Sequence, residues 1–545
     1  MESFLSKLAV DLSAFAPELF LCASVVLLLL LRMITALNRL HMGYVTLGLM
    51  AVTFVITYLQ WTGSAFNPRE NFSESVPLFT GLLVYDNFTI FLKLFLVVVT
   101  FLVIWMTLLT KIPDREDSAD FYCLLLGSVI GMMLMASANH LLMVFIAIEM
   151  ASLPSYAMAG FLKGKRQSSE AALKYVVYGG GAAGVMLYGI SLLAGKFGTC
   201  YLPDLAEALV VTTPDPLLIM GVLFILIGFA FKLSAVPFHF WCPDVFEGAP
   251  AEIAGFLSVA SKGAALALTG RFLLILTGMA EPSGVQDTWE KMAPILVPAL
   301  AIIAAVTSTF GNLAAFPQTN LKRLLAYSTI AQAGYMIMGL VTMSRDGASA
   351  VLFYIVAYIF MNLGAFGIVA FLRNSTGSED IRDFRGLVQR APVLVISLGI
   401  CFLGLLGMPP LVGFAAKFRI FFVLYESAET YGSLGMPGLS QLMVVLLFVL
   451  GINSVLSLVY YVNALKVMII EKPIEEVEGR EAEPVKISFG ANLYSGLMAF
   501  LVLLLGILWN PLAVLTEQGT KPFQNPNVAE SKSAESKQLA KGDRP

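Results

Sequence analysis

Five ionisable residues lie inside or at the ends of long apolar runs: Glu149, Lys174, Lys232, Lys262 and Lys417. An ionisable residue in a membrane-spanning helix costs free energy, and it is by default a functional hypothesis. Burial disfavours the charged form of a lysine, whereas a nearby carboxylate favours it. A Glu–Lys contact that forms and breaks would therefore load a proton and release it. These residue types in these surroundings predict a proton relay.

Each of these residues also has a purely structural interpretation. Lys174 lies about one and a half turns from the end of its span, so its long side chain could extend to the membrane surface. Glu149, Lys232 and Lys262 lie too deep for that, and their alternative is a structural ion pair. Lys417 follows a proline-containing stretch and could instead cap a broken helix beside a cavity.

His239 lies beside Pro237 at the end of another apolar run. Histidine exchanges protons near neutral pH, and its alternative here is a hydrogen-bonded residue without that role. Asp244 and Glu247 are predicted to be loop or helix-cap groups, with a smaller share in guiding protons. Side chains that could hold water along the route are Tyr156, Tyr175, Tyr327, Ser328, Thr329 and Gln332.

The composition shows which elements must position these residues. The chain has 545 residues, of which 58% are hydrophobic and 13% charged, about half the charge of a typical soluble domain. The charges cluster between long apolar runs, which indicates a polytopic helical membrane protein. A net charge of −3 gives no reason to expect a nucleic acid partner. The five cysteines have no metal-binding spacing and no nucleotide-binding loop is present, so no metal or cofactor is predicted in this chain.

A spanning helix needs about 20 apolar residues. By this length criterion the sequence predicts an all-α protein with about 14 transmembrane helices. Their approximate centres are Val25, Val52, Phe95, Val129, Ala147, Met186, Leu223, Ala264, Ala301, Met336, Val356, Leu405, Val455 and Leu503.

Basic residues are concentrated in the loops after odd-numbered spans. The positive-inside rule assigns such loops to the cytoplasm, so both termini are predicted on the outer side. The basic residues of these loops are Arg39, Lys111, Arg115, Lys163, Lys165, Arg166, Lys322, Arg323, Arg373, Arg382, Arg385, Arg390, Lys472, Arg480 and Lys486.

Spans 6 and 11 open on similar stretches, residues 170–177 and 349–356. A repeat offset by five spans is inverted in the membrane, and inverted repeats build many transporters. Spans 7 and 12 also contain prolines at matching places, Pro237 and Pro409-Pro410. Non-helical backbone at membrane depth is tolerated only against protein or a water-filled cavity. Two inverted five-helix repeats with broken spans 7 and 12 are therefore predicted, the alternative being two ordinary proline kinks.

Four motifs, in this order, closely resemble those of the N subunits of respiratory complex I. They are FKLSAVPFHFWCPDVFEGAP at 231–250, FLSVASK at 256–262, QTNLKRLLAYSTI at 318–330 and GMPPLVGFAAKF at 407–418. The resemblance extends from about span 1 to span 14.

This resemblance implies two inverted five-helix bundles flanked by extra helices. It also implies that Glu149, Lys232, Lys262 and Lys417 carry protons, and Lys174 matches a lysine of the family's span 6. The family works in NADH:quinone oxidoreductase of the bacterial inner membrane, where electron transfer elsewhere drives pumping. NAD, FMN, iron–sulfur clusters and quinone are then expected in partner subunits. The expected neighbours are the antiporter-like M-type subunit and the small K- and J-type subunits.

Three residues depart from the family pattern. Glu252 stands where a small or apolar residue is expected, and Cys242 where threonine or a similar residue is usual. Gln332 stands where relatives often have histidine, so span 10 lacks a titratable group at that point. Water held by Gln332 and nearby hydroxyls is the expected substitute.

The predicted organisation has five parts. Residues 1–118 hold the flanking spans 1–3, residues 119–280 the first repeat and residues 281–472 the second. Residues 473–516 hold a loop and the last helix, and residues 517–545 a disordered polar tail. Two related functions compete: a subunit of a multi-component Na⁺/H⁺ antiporter, which the motif at 243–250 disfavours, and a subunit of a membrane-bound hydrogenase. A passive membrane scaffold is the alternative of another class.

Overall fold

A computed structural model describes residues 2–34, 41–69, 74–112, 118–277, 285–473 and 485–523. Within these ranges the chain is a helical bundle with one small hairpin, in which β1 (Val76–Leu78) pairs with β2 (Leu83–Tyr85). Thirteen described helices are long and apolar enough to cross a membrane. The predicted all-α polytopic fold is therefore confirmed.

The described helices have the following bounds. In chain order the first twelve are α1 (Glu2–Ala14), α2 (Ala16–Met33), α3 (Met42–Thr62), α4 (Asn87–Thr110), α5 (Ser118–Ser137), α6 (Leu141–Ala159), α7 (Arg166–Phe197), α8 (Leu202–Val211), α9 (Pro216–Leu233), α10 (Trp241–Gly248), α11 (Ala251–Phe256) and α12 (Lys262–Leu276). The next nine are α13 (Val285–Ala315), α14 (Leu321–Val341), α15 (Arg345–Tyr358), α16 (Gly364–Thr376), α17 (Pro392–Leu406), α18 (Val412–Ser433), α19 (Pro437–Ile469), α20 (Phe489–Ile507) and α21 (Asn510–Gly519).

Two spans are interrupted where the sequence has its prolines. Helix α9 ends at Leu233 and α10 begins at Trp241, and α17 ends at Leu406 before α18 begins at Val412. Gly407, with φ of 89°, ends α17 in a left-handed conformation that suits glycine. Helix α17 is too short to be counted among the thirteen spanning helices. Predicted span 12, centred on Leu405, therefore corresponds to α17 together with α18.

Two other spans each contain a π-helical turn. Leu257–Ser261 joins α11 to α12, and Ile359–Leu363 joins α15 to α16. A π turn inserts an extra residue and re-aims the side chains around it, and such turns often occur at functional sites. The two turns meet, because the Asn362 amide donates a hydrogen bond of 2.5 Å to the Ser258 hydroxyl.

Side-chain caps determine where several helices start. Asp215 precedes Pro216 at the start of α9 and accepts a hydrogen bond of 2.9 Å from the Leu218 N–H. Asn320 caps α14 in the same way through the Arg323 N–H, at 3.1 Å. Such caps satisfy backbone donors that a helix cannot pair by itself.

The described ionic contacts divide the bundle into two ends. The basic end is the one where α7 and α14 start and α16 finishes, and it carries Lys322, Arg323 and Arg373. At the opposite end a buried Asp86–Arg271 pair, at 2.9 Å, joins the start of α4 to the end of α12. These contacts fix flanking helix α4 against the helices of the predicted first repeat.

The predicted start of the disordered tail, residue 517, is wrong. The chain stays helical through Gly519, and a 3₁₀ turn follows over Lys521–Phe523. Phe523 is buried and its ring packs edge-on against Phe88 at 5.2 Å. Residues 524–545 lie outside the described part of the chain.

Candidate functional site

Lys232 lies in the last turn of α9, immediately before the break, and its side chain is fully buried. Its ammonium donates a hydrogen bond of 2.8 Å to the Ser152 hydroxyl on α6. Ser152 in turn donates to the Ile148 carbonyl on its own helix at 2.6 Å. The hydroxyl therefore links the lysine to α6 without supplying a negative charge.

Glu149 lies on α6 one turn before Ser152 and within electrostatic range of Lys232. Its side chain is half-buried, so it is less enclosed than the buried carboxylate that the sequence predicted. The hydrogen-bond partner of Lys232 is Ser152, which the sequence did not single out. The i to i+3 spacing of Glu149 and Ser152, which brings side chains to one helix face, was the available signal.

Lys262 is the first residue of α12, directly after the π turn, and is almost fully buried. Its ammonium lies 4.3 Å from the ring centre of Trp241 and 5.4 Å from that of Phe246. Within the described ranges it has no hydrogen-bond partner. Aromatic faces stabilise a cation only modestly, and the described surroundings of Lys262 offer its ammonium no counter-charge in direct contact.

Lys417 lies in the second turn of α18 and reaches back across the break. Its ammonium donates a hydrogen bond of 2.9 Å to the Leu406 carbonyl and lies 4.5 Å from the ring centre of Tyr335. Gln332 donates to the preceding carbonyl, that of Leu405, at 3.0 Å. The two side chains thus satisfy carbonyls that the end of α17 leaves unpaired.

Hydroxyl groups surround Gln332 in the core of the second half. Tyr354 donates to the Gln332 amide oxygen, and Tyr358 donates to Thr329 at 3.0 Å. Gln332 and Thr329 were predicted from the sequence to hold water, whereas neither tyrosine was predicted. Their i to i+4 spacing in span 11, which puts them on one face, could have indicated them.

Lys174 lies at the basic end and not in the core. Its side chain is 37% exposed, and its ammonium contacts Asp244 at 2.7 Å and Glu170 at 2.9 Å. Arg323 contacts Asp244 at 2.8 Å and Glu247 at 2.7 Å. Asp244 and Glu247 are therefore ion-pair members within α10, and not the loop or cap groups that were expected.

These charged side chains line an open cavity of about 270 Å³ at the basic end. We call it the basic-end cavity, and its lining residues are Gln167, Glu170, Ala171, Lys174, Asp244, Glu247, Gly248 and Arg323. The cavity is large enough for several water molecules, and its walls offer both donors and acceptors. Part of its wall is α10, the short helix after the break.

His239 lies in the break between α9 and α10, where it is buried against aromatic rings. Its ring centre is 4.3 Å from that of Phe240 and 4.5 Å from that of Phe310. In the described part of the chain it forms no ion pair. The structure thus places His239 beside the break but among apolar neighbours.

Two predicted water-holding residues join the first half of the relay to its aromatic lining. The rings of Tyr156 and Tyr175 lie 4.6 Å apart, and Tyr175 stacks on Trp241 at 4.3 Å. Trp241 is also the ring beneath Lys262. Neither tyrosine hydroxyl has a hydrogen-bond partner among the described residues, so both can hold water.

The residues that could bind a metal do not converge. Over the described ranges no group of three or more histidine, cysteine, aspartate or glutamate side chains could hold an ion. The five cysteines are unpaired thiols.

Comparison with known proteins places this arrangement in a family. Residues 138–436 match the family model described as NADH:quinone oxidoreductase/Mrp antiporter, transmembrane. The chain is 38% identical to NADH-quinone oxidoreductase subunit N of Anaeromyxobacter sp. strain Fw109-5, over 96% of this chain and 100% of the relative. It is 36% identical to NAD(P)H-quinone oxidoreductase subunit 2 of Synechocystis sp., over 93% of both chains.

Solved structures show the same architecture. A chain of respiratory complex I from Thermus thermophilus aligns with a TM-score of 0.69 at 28% identity, covering 92% of this chain and 99% of that one. A chain of the Mrp complex from Dietzia sp. aligns with a TM-score of 0.76 at 16% identity, covering 94% and 98%. The second similarity, at that identity, is one of fold alone.

Proposed function

Because the chain belongs to the subunit N family of NADH-quinone oxidoreductases, we propose that its buried lysines form the proton path of a respiratory pump. The chain is an antiporter-like, proton-pumping membrane subunit of NADH:quinone oxidoreductase. The family resemblance in the four sequence motifs is thereby confirmed.

The proposed path runs through the middle of the bundle. A proton enters the basic-end cavity beside Lys174 and reaches Lys232, whose charge is tuned by Glu149. It continues to Lys262 and, through water near His239 and the hydroxyls around Gln332, to Lys417. From Lys417 it leaves at the opposite end.

One observation supports this proposal above the others. Lys232, Lys262 and Lys417 are all buried, and the described partner of each is a hydroxyl, a pair of aromatic rings or a backbone carbonyl. Two other buried lysines of the same chain have carboxylate partners: Lys93 contacts Glu18 at 2.7 Å and Lys322 contacts Glu379 at 3.0 Å. A fixed charge in the membrane needs such a partner. Among the described residues, no carboxylate lies in direct contact with any of the three relay lysines. This suits groups that gain and lose a proton, and it disfavours the scaffold alternative.

The setting of the subunit follows from the same proposal. The basic end faces the cytoplasm, because basic loops are retained there, and both termini lie on the outer side of the bacterial inner membrane. The neighbours are the M-type antiporter-like subunit and the small K- and J-type subunits. NAD, FMN, iron–sulfur clusters and quinone are held by partner subunits. Residues 119–280 and 281–472 are the two inverted repeats.

The test is Glu149→Gln in the assembled complex in its native membrane. NADH-driven proton uptake and quinone reduction are followed together, after native gel electrophoresis has shown that assembly is intact. We expect both rates to fall, because Glu149 supplies a negative charge one turn from Ser152, the residue that accepts from Lys232. Exposed Glu207, changed to Gln in the same way, is the matched control and should leave both rates unchanged. Normal rates in Glu149→Gln would make Glu149 a structural polar group and favour the scaffold.

A further inference from the structure

Glu252 is a buried carboxylic acid that the path described above does not use. It lies in the first turn of α11, at the basic end, and its side chain has no exposed surface. Neither carboxyl oxygen has a hydrogen-bond partner within the ranges that the structure describes. The residue therefore does not cap its own helix, although an acidic group in the first turn often does.

The nearby cation on α14 is Lys322, whose ammonium reaches the backbone three residues before Glu252. Lys322 is 3% exposed, and its ammonium donates to the Ala249 carbonyl at 2.8 Å and contacts Glu379 at 3.0 Å. Glu379 is shared with Arg373, at 3.3 Å. The counter-charge of Lys322 is thus Glu379. Among the described residues, Glu252 itself forms no ion pair.

An ionised carboxylate without a donor is costly to bury, and taking up a proton removes most of that cost. We propose that Glu252 is a proton-carrying residue of this subunit that supplies Lys262. This inference rests on the proposed function. Glu252 takes up a proton on a carboxyl oxygen at the basic end, and its O–H bond breaks as the proton passes to the neutral amine of Lys262.

The helix that carries Glu252 leads to the relay. Lys262 lies ten residues further along the same span, about 15 Å at the rise of a helix. Polar atoms stand between them at the two π turns: the Ser258 hydroxyl, hydrogen-bonded by Asn362, and the buried Ser261 hydroxyl. The Asn362 amide oxygen is likewise without a described partner. The released proton moves along these groups to the Lys262 amine, and Glu252 is reloaded from the basic end.

Helix α11 is packed too tightly to rearrange easily. A methyl group added at Gly255, three residues after Glu252, would come within 3.2 Å of both Leu363 and Phe366. Helix α11 is therefore held closely against the π turn before α16 and against α16 itself. Transfer of a proton between neighbouring polar groups does not require the helix or its side chains to move far.

The experiment uses the assembled complex with Glu252→Gln, which keeps the shape and removes the acid. We expect NADH-driven proton translocation to fall by about tenfold or more, since a positioned proton-transfer group contributes at least that much, with assembly unchanged. Glu252→Asp, which keeps a carboxyl, should restore a large part of the rate. Glu207→Gln again serves as the control.

Three outcomes decide between the alternatives. Pumping at the native rate in Glu252→Gln would overturn the role of Glu252. Equal loss in Glu252→Gln and Glu252→Asp, together with lower assembly of both, would also overturn it, because it would show a packing role. Lys417→Met is measured in parallel: if it pumps normally, the proposed function fails, whereas its loss beside a normal Glu252→Gln contradicts only this inference.

Discussion

The ammonium of Lys417 donates a hydrogen bond of 2.9 Å to the carbonyl of Leu406, so a residue of α18 closes the open end of α17. A broken helix leaves carbonyls that the membrane cannot solvate. Here the Lys417 ammonium satisfies one of them. If Lys417 carries protons as proposed, the break should respond to its charge, because a neutral amine is a weaker donor than an ammonium.

Replacing Lys417 by Met removes this donor and keeps most of the apolar stem. We expect proton translocation driven by NADH to fall by about tenfold or more, since a positioned proton-transfer group contributes at least that much. The measurement is proton uptake by inverted membrane vesicles with equal amounts of complex. Lys466→Met, on an exposed part of α19, is the matched control. Undiminished uptake in Lys417→Met would remove Lys417 from the path.

Replacing Ser152 by Ala removes the hydroxyl that accepts from Lys232. A hydrogen bond to a charged group contributes about 1.5–3 kcal/mol, so loading of Lys232 should become about 10- to 100-fold less favourable and pumping should slow. The rate of proton uptake is again the readout. Ser155→Ala tests specificity, because Ser155 is buried one turn further on and donates to the Ala151 carbonyl of its own helix. Equal effects of both changes would mean that Ser152 matters only for packing.

The Asp86–Arg271 pair at the opposite end is expected to stabilise the fold. Two hydrogen bonds of 2.9 Å join the guanidinium to the carboxylate, and both side chains are buried. Removing one partner of such a pair costs about 3–5 kcal/mol. Asp86→Asn should therefore lower the unfolding temperature of the subunit and the amount of assembled complex. The same change should not alter the proton yield of the complexes that do assemble.

The pair also gives stability a pH dependence. Burial by itself would raise the pKa of the Asp86 carboxyl, but Arg271 and the Thr89 N–H outweigh it and hold the pKa below its ordinary value. The stabilisation is thus present above the unfolded-state pKa and is lost as pH falls through the lower, folded-state pKa. Thermal unfolding followed from neutral to acidic pH should show a larger loss for the native chain than for Asp86→Asn. Parallel curves would contradict this assignment.

For Gln332 the sequence predicted the residue type but not its packing partners. Its departure from the histidine of relatives was visible in the sequence, and a polar substitute for a titratable group was expected. Its partners, Tyr354 and the Leu405 carbonyl, come from two other spans. No local pattern specifies which faces of three helices meet, so only packing could reveal them.

The sequence by itself determined the class of the protein, its spanning helices, the two proline breaks and three of the buried lysines, Lys232, Lys262 and Lys417. It could do so because the bilayer imposes a fixed length of apolar helix and penalises each charge within it. The tertiary structure decided which group each charge meets: Ser152 for Lys232, the Trp241 ring for Lys262 and the Leu406 carbonyl for Lys417. These pairings join residues far apart in the chain, and they depend on helix rotation and on π turns that shift a helix face. Hydropathy is insensitive to such rotations, whereas the chemistry of a proton path depends on them.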